Sequence, residues 1–201
     1  MAEIRSTLEM VMERAARMAA ETGDSRTSED TLRKGMRLAA SFLNNEEKDL
    51  LQLLQTQPPE EQMEIRSGMA RTLLRNITLP REETLSEATL LSLQTLQEMS
   101  GNAADVAAIC GELHQILEQY GQHKAQVKKQ FDDSILSQLK MKLQQQGVPV
   151  EETTALNPSM HPQYKEEWSR VSTSLNEQYN EALNQRKEQI GQRFNIEPHG
   201  H

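Results

Sequence analysis

Cysteine, aromatic residues and long apolar runs are scarce in this sequence, and each scarcity excludes a class of protein. A single cysteine among 201 residues excludes an intramolecular disulfide framework and favours a reducing, cytoplasmic setting. No apolar run approaches the roughly 18 residues that cross a bilayer. Glu3, Arg5 and Glu9 interrupt the stretch where a signal peptide would be apolar. We therefore expect a cytoplasmic protein with no membrane partner.

A basic excess and the usual cofactor motifs are also missing. The 30 acidic residues outnumber the 22 basic ones, which gives a net charge of −8, the opposite of a dedicated nucleic-acid binder. The nine glycines form no glycine-rich loop of the kind that holds phosphates. No Glu lies three residues before a histidine, as a di-iron bundle would need, and no second cysteine is available for zinc. The sequence predicts no cofactor and no metal site.

Good helix formers dominate what is present, and strict apolar/polar alternation is absent, so the sequence predicts an all-α fold without a β-sheet. Residues 1–100 predict a bundle of about five short helices. Ile4, Leu8 and Val11 begin a heptad seam in the first helix. Pro59 and Pro80 are each expected to open a later helix, because proline suits the first turn. The expected apolar faces of these two later helices consist of Met63, Ala70, Leu73, Leu74, Ile77, Leu85, Leu90, Leu93 and Leu96.

Residues 101–201 predict a different region, a long antiparallel helical hairpin that resembles a coiled coil. Apolar residues follow a heptad from Val106 to Phe131, which favours one helix over about 103–146. A linker rich in Pro, Thr and Glu leads to a last helix over about 162–194, where an eleven-residue spacing favours nearly straight packing. The expected stripe of that helix consists of Tyr164, Trp168, Val171, Leu175, Tyr179, Ala182, Ile190 and Phe194.

Three features carry possible chemistry, and each has a simpler explanation. His114 and Glu118 are four residues apart, a spacing that suits a metal or an acid–base pair, but a surface ion pair is favoured. Cys110 lies in the heptad seam, where burial would leave a packed and inert thiol rather than a nucleophile. His199 and His201 could chelate a metal, although a frayed terminus is the default.

Two basic clusters are candidates for contact with nucleic acid or anionic lipid. The first contains Arg26, Arg33, Lys34 and Arg37, and the second contains Lys124, Lys128, Lys129, Lys140 and Lys142. Acidic residues flank or interrupt both clusters, and no interleaved aromatic residues provide a platform for single strands. Solvated helix faces are therefore favoured over a nucleic-acid site.

The aromatic residues are few but unevenly placed, since four of the seven lie on the last helix. Such enrichment suits a core or a protein interface equally well, and both explanations remain open. The first helix is amphipathic and set off by Gly23, so it could dock within the chain or on another one. The candidate interaction face consists of Ile4, Leu8, Val11, Tyr164, Trp168, Tyr179 and Phe194.

Taken together, these patterns predict a non-enzymatic interaction, scaffold or adaptor protein that acts through apolar helix faces. Its expected partner is another protein or a second copy of itself. One alternative is a helical-bundle enzyme or metalloprotein whose ligands come from distant helices and leave no local motif. Another is a scaffold that associates with nucleic acid through the basic clusters.

Overall fold

The computed structural model describes residues 28–81, 84–146 and 156–196. Every regular element within these ranges is helical and none is a strand, which confirms the predicted all-α class. The elements are a helix over residues 28–43 (α1), Leu50–Gln55 (α2), Gln62–Asn76 (α3), Glu87–Met99 (α4), Ala104–Gln145 (α5), a 3-10 turn over Pro158–Met160, and Tyr164–Arg193 (α6). The predicted first helix, with Ile4, Leu8 and Val11, lies outside the described residues.

Two helices begin later than the prolines predict. The backbone N–H of Glu61 donates to the carbonyl of Pro58 at 2.9 Å, so Pro59 lies in a turn and α3 starts at Gln62. The prediction for Pro80 is also wrong, because α4 starts only at Glu87. Its N-cap is Ser86, whose hydroxyl accepts the Thr89 N–H at 3.2 Å. A side chain that satisfies a free N–H decides the start of α4 more strongly than proline does.

Helices α1 and α3 cross at two buried glycines. A Cβ atom on Gly35 would lie 2.1 Å from the carbonyl oxygen of Ile65, and one on Gly68 would lie 2.1 Å from that of Leu32. Near this crossing the Thr72 hydroxyl donates to the Met36 carbonyl of α1 at 3.3 Å. The two backbones therefore approach each other more closely than any larger residue would allow.

The helix α4 buries a row of hydroxyl side chains beside its apolar residues. Thr89 donates to the carbonyl of Asn76 on α3 at 3.2 Å, while Ser92 and Thr95 donate to carbonyls one turn back in α4. Because each hydroxyl has a partner, its burial avoids the cost of an unsatisfied polar group. Apolar periodicity alone could not place this face of α4.

Apolar side chains from both halves of the sequence form a single core. On α5 this core includes Val106, Cys110, Leu113 and Leu117, but not the buried Ile135 further along the helix. The chief remaining members are Ala39, Phe42, Leu50, Ile65, Met69, Ala70, Leu73, Leu74, Ile77, Leu93, Leu96, Met99, Leu183, Ile190 and Phe194. Two residues of the predicted apolar faces, Met63 and Leu90, are instead exposed. Both lie in the first turn of their helices, at the edge of the core.

The predicted hairpin is present, and its helices begin and end within about two residues of the expected positions. At 1.5 Å per residue, α5 is about 63 Å long. Arg193 pairs with Asp105 near one end of α6, and Arg186 pairs with Glu112 two turns away. The residue numbers of the paired side chains increase along α5 while they decrease along α6, so the two helices pack antiparallel. The 28 residues after Leu117 carry α5 about 42 Å beyond the last core position on this helix.

The stripe predicted for α6 is correct in period but wrong at one residue and incomplete at another. Val171 is 37% exposed, whereas Leu183, which the prediction omitted, is 1% exposed. The prediction chose Val171 and Ala182, whereas the next residue in each case, Ser172 or Leu183, is the more buried one. Counting eleven back and eleven on from Leu183 reaches the part-buried Ser172 and the buried Phe194. The inward face is therefore set by the eleven-residue repeat.

Candidate functional site

Phe194, one member of the candidate interaction face, lies in the core at the end of α6. Only 2% of it is exposed, and the Arg66 guanidinium lies 4.8 Å from its ring centre. The hydroxyl of Ser67 on α3 donates to the Phe194 carbonyl at 2.6 Å. These contacts join the last turn of the hairpin to the bundle, so Phe194 is not available to a partner.

Tyr179 packs inward against the middle of α5. Its ring meets the ring of Tyr120 edge-on, with centres 5.3 Å apart, and its hydroxyl lies 3.2 Å from Nδ1 of His123. The hydroxyl of Tyr120 donates to Oδ1 of Asn176 on α6 at 2.7 Å. These polar contacts across the seam add directional constraints to the aromatic packing.

Tyr164 and Trp168 lie further along the hairpin, around the ammonium group of Lys128. This ammonium lies 5.1 Å from the ring centre of Tyr164 and 5.2 Å from that of Trp168. It donates to both carboxylate oxygens of Asp132, at 2.7 and 2.6 Å, and to the Tyr164 hydroxyl. That hydroxyl in turn donates to Asp132 at 2.6 Å. We call Lys128, Asp132, Tyr164 and Trp168 the clasp.

The clasp favours the charged forms of both its ionisable members. Partial burial by itself would raise the pKa of the Asp132 carboxyl, but hydrogen bonds from Lys128 and Tyr164 and the Lys128 charge hold this pKa below its usual value. Partial burial by itself would lower the pKa of the Lys128 ammonium, but its hydrogen bonds and the Asp132 charge raise this pKa. The clasp is therefore a part-exposed ion pair that lies beside aromatic rings.

The aromatic residues of α6 are thus engaged within the chain. Phe131 contacts both clasp rings, at centre distances of 5.3 Å to Tyr164 and 5.6 Å to Trp168. The remaining candidate-face residues, Ile4, Leu8 and Val11, lie outside the described part of the chain. Apolar surface that a partner could contact on the hairpin must therefore come from other residues.

Two methionines near the far end of the hairpin are exposed to solvent. Met141, in the last turns of α5, is 58% exposed, and Met160, at the end of the 3-10 turn, is 63% exposed. We call them the tip methionines. The 3-10 turn contacts both α5 and α6, so these side chains are carried by a packed part of the hairpin. This arrangement places flexible apolar side chains where another molecule can reach them.

Two of the three sequence candidates for chemistry lie in the described part of the chain, and both take their simpler forms. Cys110 is 4% exposed, and burial raises the pKa of its thiol to about 11, so the thiolate is disfavoured. His114 and Glu118 form an exposed pair, with Nδ1 and Oε2 3.6 Å apart. His199 and His201 lie outside the described residues.

Both basic clusters contain lysines or arginines that are already paired. Arg33 pairs with Glu29 at 2.6 Å and Lys34 pairs with Glu61 at 2.9 Å. In the second cluster, Lys124 donates to the Arg81 carbonyl at 3.2 Å, and Lys128 belongs to the clasp. The ion pairs of Arg33, Lys34 and Lys128 reduce the positive charge that the two clusters offer to a phosphate backbone.

Sequence reasoning missed the clasp and the tip methionines, although each left a signal. Lys128 and Asp132 are four residues apart, the helical spacing for an ion pair, but the sequence does not show that Tyr164 and Trp168 lie opposite. Met141 lies between Lys140 and Lys142, a setting that indicates an apolar side chain on a polar face.

Across the ranges that the structure describes, no cluster of three or more His, Cys, Asp or Glu side chains could hold a metal ion. None of the described helices combines the length and the apolar character needed to span a membrane. The chain belongs to a family of unknown function, DUF6657, which matches residues 51–192. No curated protein and no solved structure matches the chain significantly.

Proposed function

We propose that the protein is a cytoplasmic, non-enzymatic interaction protein that binds another protein, or a second copy of itself, through the far end of the α5–α6 hairpin. The observation that carries this proposal is the exposure of both tip methionines, Met141 and Met160, at 58% and 63%. Transferring such apolar surface from water into an interface is favourable.

The architecture of the hairpin supports the same function. The core ends at Leu117 on α5, yet the helix continues to Gln145. The clasp holds this extension against α6, so the tip methionines are presented on an ordered support. An ordered binding surface loses less conformational entropy when a partner docks.

Methionine also suits a surface that meets a helical partner. Its unbranched thioether adapts to irregular neighbours and is common at adaptable binding surfaces. Lys140 and Lys142 flank Met141, so the apolar contact has a basic rim. An amphipathic partner helix with acidic residues beside its apolar face would complement this surface.

The experiment compares matched methionine variants of the full chain. Light scattering across a concentration series measures self-association, and affinity capture from the source cell measures binding to other proteins. We expect Met141→Gln combined with Met160→Gln to weaken the observed association by about tenfold or more, because an apolar anchor at the centre of an interface contributes at least ~1.4 kcal/mol.

The control is Met63→Gln, which changes a methionine on α3 that is 61% exposed. It makes the same substitution at a similarly exposed methionine but away from the far end of the hairpin, and should leave association unchanged. A wild-type chain that stays monomeric at high concentration, together with capture that is equal for the wild type and the double variant, would contradict the proposal.

A further inference from the structure

The clasp has the chemical make-up of a binding site for a positively charged amine. The Trp168 ring centre lies 5.2 Å from the Lys128 nitrogen, a distance at which an aromatic ring attracts a cation. The Asp132 carboxylate supplies the opposite charge, and the Tyr164 hydroxyl supplies a further acceptor. Such a combination of an aromatic ring, a carboxylate and a hydroxyl is suited to recognising an ammonium ion.

The hydrogen bonds define which kind of ammonium ion fits. A lysine ammonium has three N–H donors, and here they reach both Asp132 oxygens and the Tyr164 oxygen. A primary alkylammonium could form the same three bonds. A quaternary ammonium has no N–H group and would keep only the attraction to the Trp168 ring and the carboxylate.

We propose that Asp132, Tyr164 and Trp168 form a binding site for primary alkylammonium groups, which the side chain of Lys128 occupies in the native protein. Lys128 reaches the site from one turn before Asp132 on α5, while both rings come from α6. The residues that form the site are therefore distinct from the residue that occupies it. Filling the site from within the chain fixes the register of the two helices.

The tethered lysine excludes outside competitors in the native protein. A group linked to its site acts at an effective concentration that a free amine at ordinary concentration does not match. The lowered pKa of Asp132 and the raised pKa of Lys128 agree with continuous occupancy near neutral pH. Shortening Lys128 to alanine removes the competitor, and the missing fragment of its side chain corresponds to propylammonium.

The first test uses the wild-type chain and an amine-acetylating reagent, with modification of each lysine followed by mass spectrometry. Lys128 is 37% exposed and its neighbour Lys129 is exposed, so the adjacent residue is a matched control. We expect Lys128 to react at least about fivefold more slowly than Lys129, because its ammonium is bound. Asp132→Asn should bring the two rates closer together. Equal rates in the wild type would overturn the proposal.

The second test uses Lys128→Ala and the emission of Trp168, the only tryptophan of the chain. Propylammonium chloride should change this emission saturably, with half-saturation on the order of 0.1 M, as expected for weak and partly exposed cation–aromatic attraction. At half-saturation the Tm should rise by about 1 °C relative to an equal concentration of NaCl. Tetramethylammonium should bind more weakly.

Two variants serve as controls for non-specific effects of the amine. The wild type should not respond, because Lys128 fills the site, and Lys128→Ala combined with Asp132→Asn should not respond, because the carboxylate is lost. An equal response in all three proteins, or none in Lys128→Ala, would overturn the proposal. If Lys128→Ala does not fold, the wild-type acetylation rates decide the question alone.

Discussion

The two ends of the α5–α6 hairpin are stabilised by different contacts. Near the bundle, α5 contributes aliphatic side chains such as Leu113 and Leu117, both at 0% exposure, to the shared core. Towards the far end, the contacts between α5 and α6 include the clasp and the ring of Phe131, which packs against it. With fewer neighbouring helices than the bundle end, this part of the hairpin relies more on large rings and amphipathic side chains for its contacts.

The contacts at the two ends should contribute differently, to folding stability at the bundle end and to the register of the helices at the far end. Burial among several helices supplies most of the folding free energy at the bundle end. An ion pair such as Lys128 with Asp132 adds little net stability, because desolvation offsets much of its attraction. It does penalise any slip of the helices that would separate it from Tyr164 and Trp168. We therefore expect the bundle end to control unfolding and the far end to control register.

The largest expected effect comes from truncating one buried aliphatic side chain to alanine at each end of the hairpin. Leu117→Ala should destabilise the protein by about 3–5 kcal/mol, because several helices prevent the cavity from collapsing. Ile135→Ala, at a residue that is 1% exposed in the far half, should cost only about 2 kcal/mol because fewer neighbours restrict relaxation. Urea unfolding followed by circular dichroism gives both free energies. Equal losses would remove the distinction between the two ends.

A smaller effect should come from adding one methyl group at a close helix contact. Gly68→Ala places a Cβ 2.1 Å from the Leu32 carbonyl oxygen, so α1 and α3 must separate, at a cost of about 1–3 kcal/mol. The matched control is Gly111→Ala on α5, where nothing lies within 4 Å of the added Cβ. That change should stabilise the chain by about 0.5–1 kcal/mol, because alanine favours helix. Thermal and urea unfolding should therefore shift in opposite directions, and a neutral Gly68→Ala would show that this crossing is loose.

Much of the fold could be predicted because helix signals are local. The heptad from Val106 to Phe131 and the glycine at 101 depend only on neighbours in sequence, and they placed α5 and the break before it correctly. The start of α4 was misplaced because a hydrogen bond from the Thr89 N–H to Ser86 outweighed the signal from Pro80.

The candidate site could be predicted less well, because it depends on which side chains meet across the seam. Tyr164 and Trp168 were predicted as part of a candidate interaction face, and nothing local shows that Lys128 lies beside both of them. A lysine four residues before an aspartate is ordinarily a solvated pair. Only the antiparallel register, which the whole chain determines, places the Tyr164 hydroxyl and the Trp168 ring beside this one.

The smallest expected effect is a pH dependence that belongs to the far end alone. Because the folded pKa of Asp132 is lowered, its contribution is present above the unfolded pKa of about 3.9 and is lost as pH falls through the folded value. Because the folded pKa of Lys128 is raised, its contribution is present below the unfolded pKa of about 10.4 and is lost as pH rises through the folded value.

The Tm difference between the wild type and Asp132→Asn should therefore be largest between about pH 5 and 10 and should shrink at both extremes. Solvent screens this part-exposed pair, so the maximum should be only about 1–3 °C. Asp133→Asn, at the exposed neighbouring residue, is the control and should follow the wild type. Because the variants share all the other carboxylates, the contributions of those groups to the pH dependence cancel in the Tm difference. Coinciding curves for the wild type and Asp132→Asn would show that the Lys128–Asp132 ion pair contributes nothing to closing the hairpin, and that ring packing holds its far end.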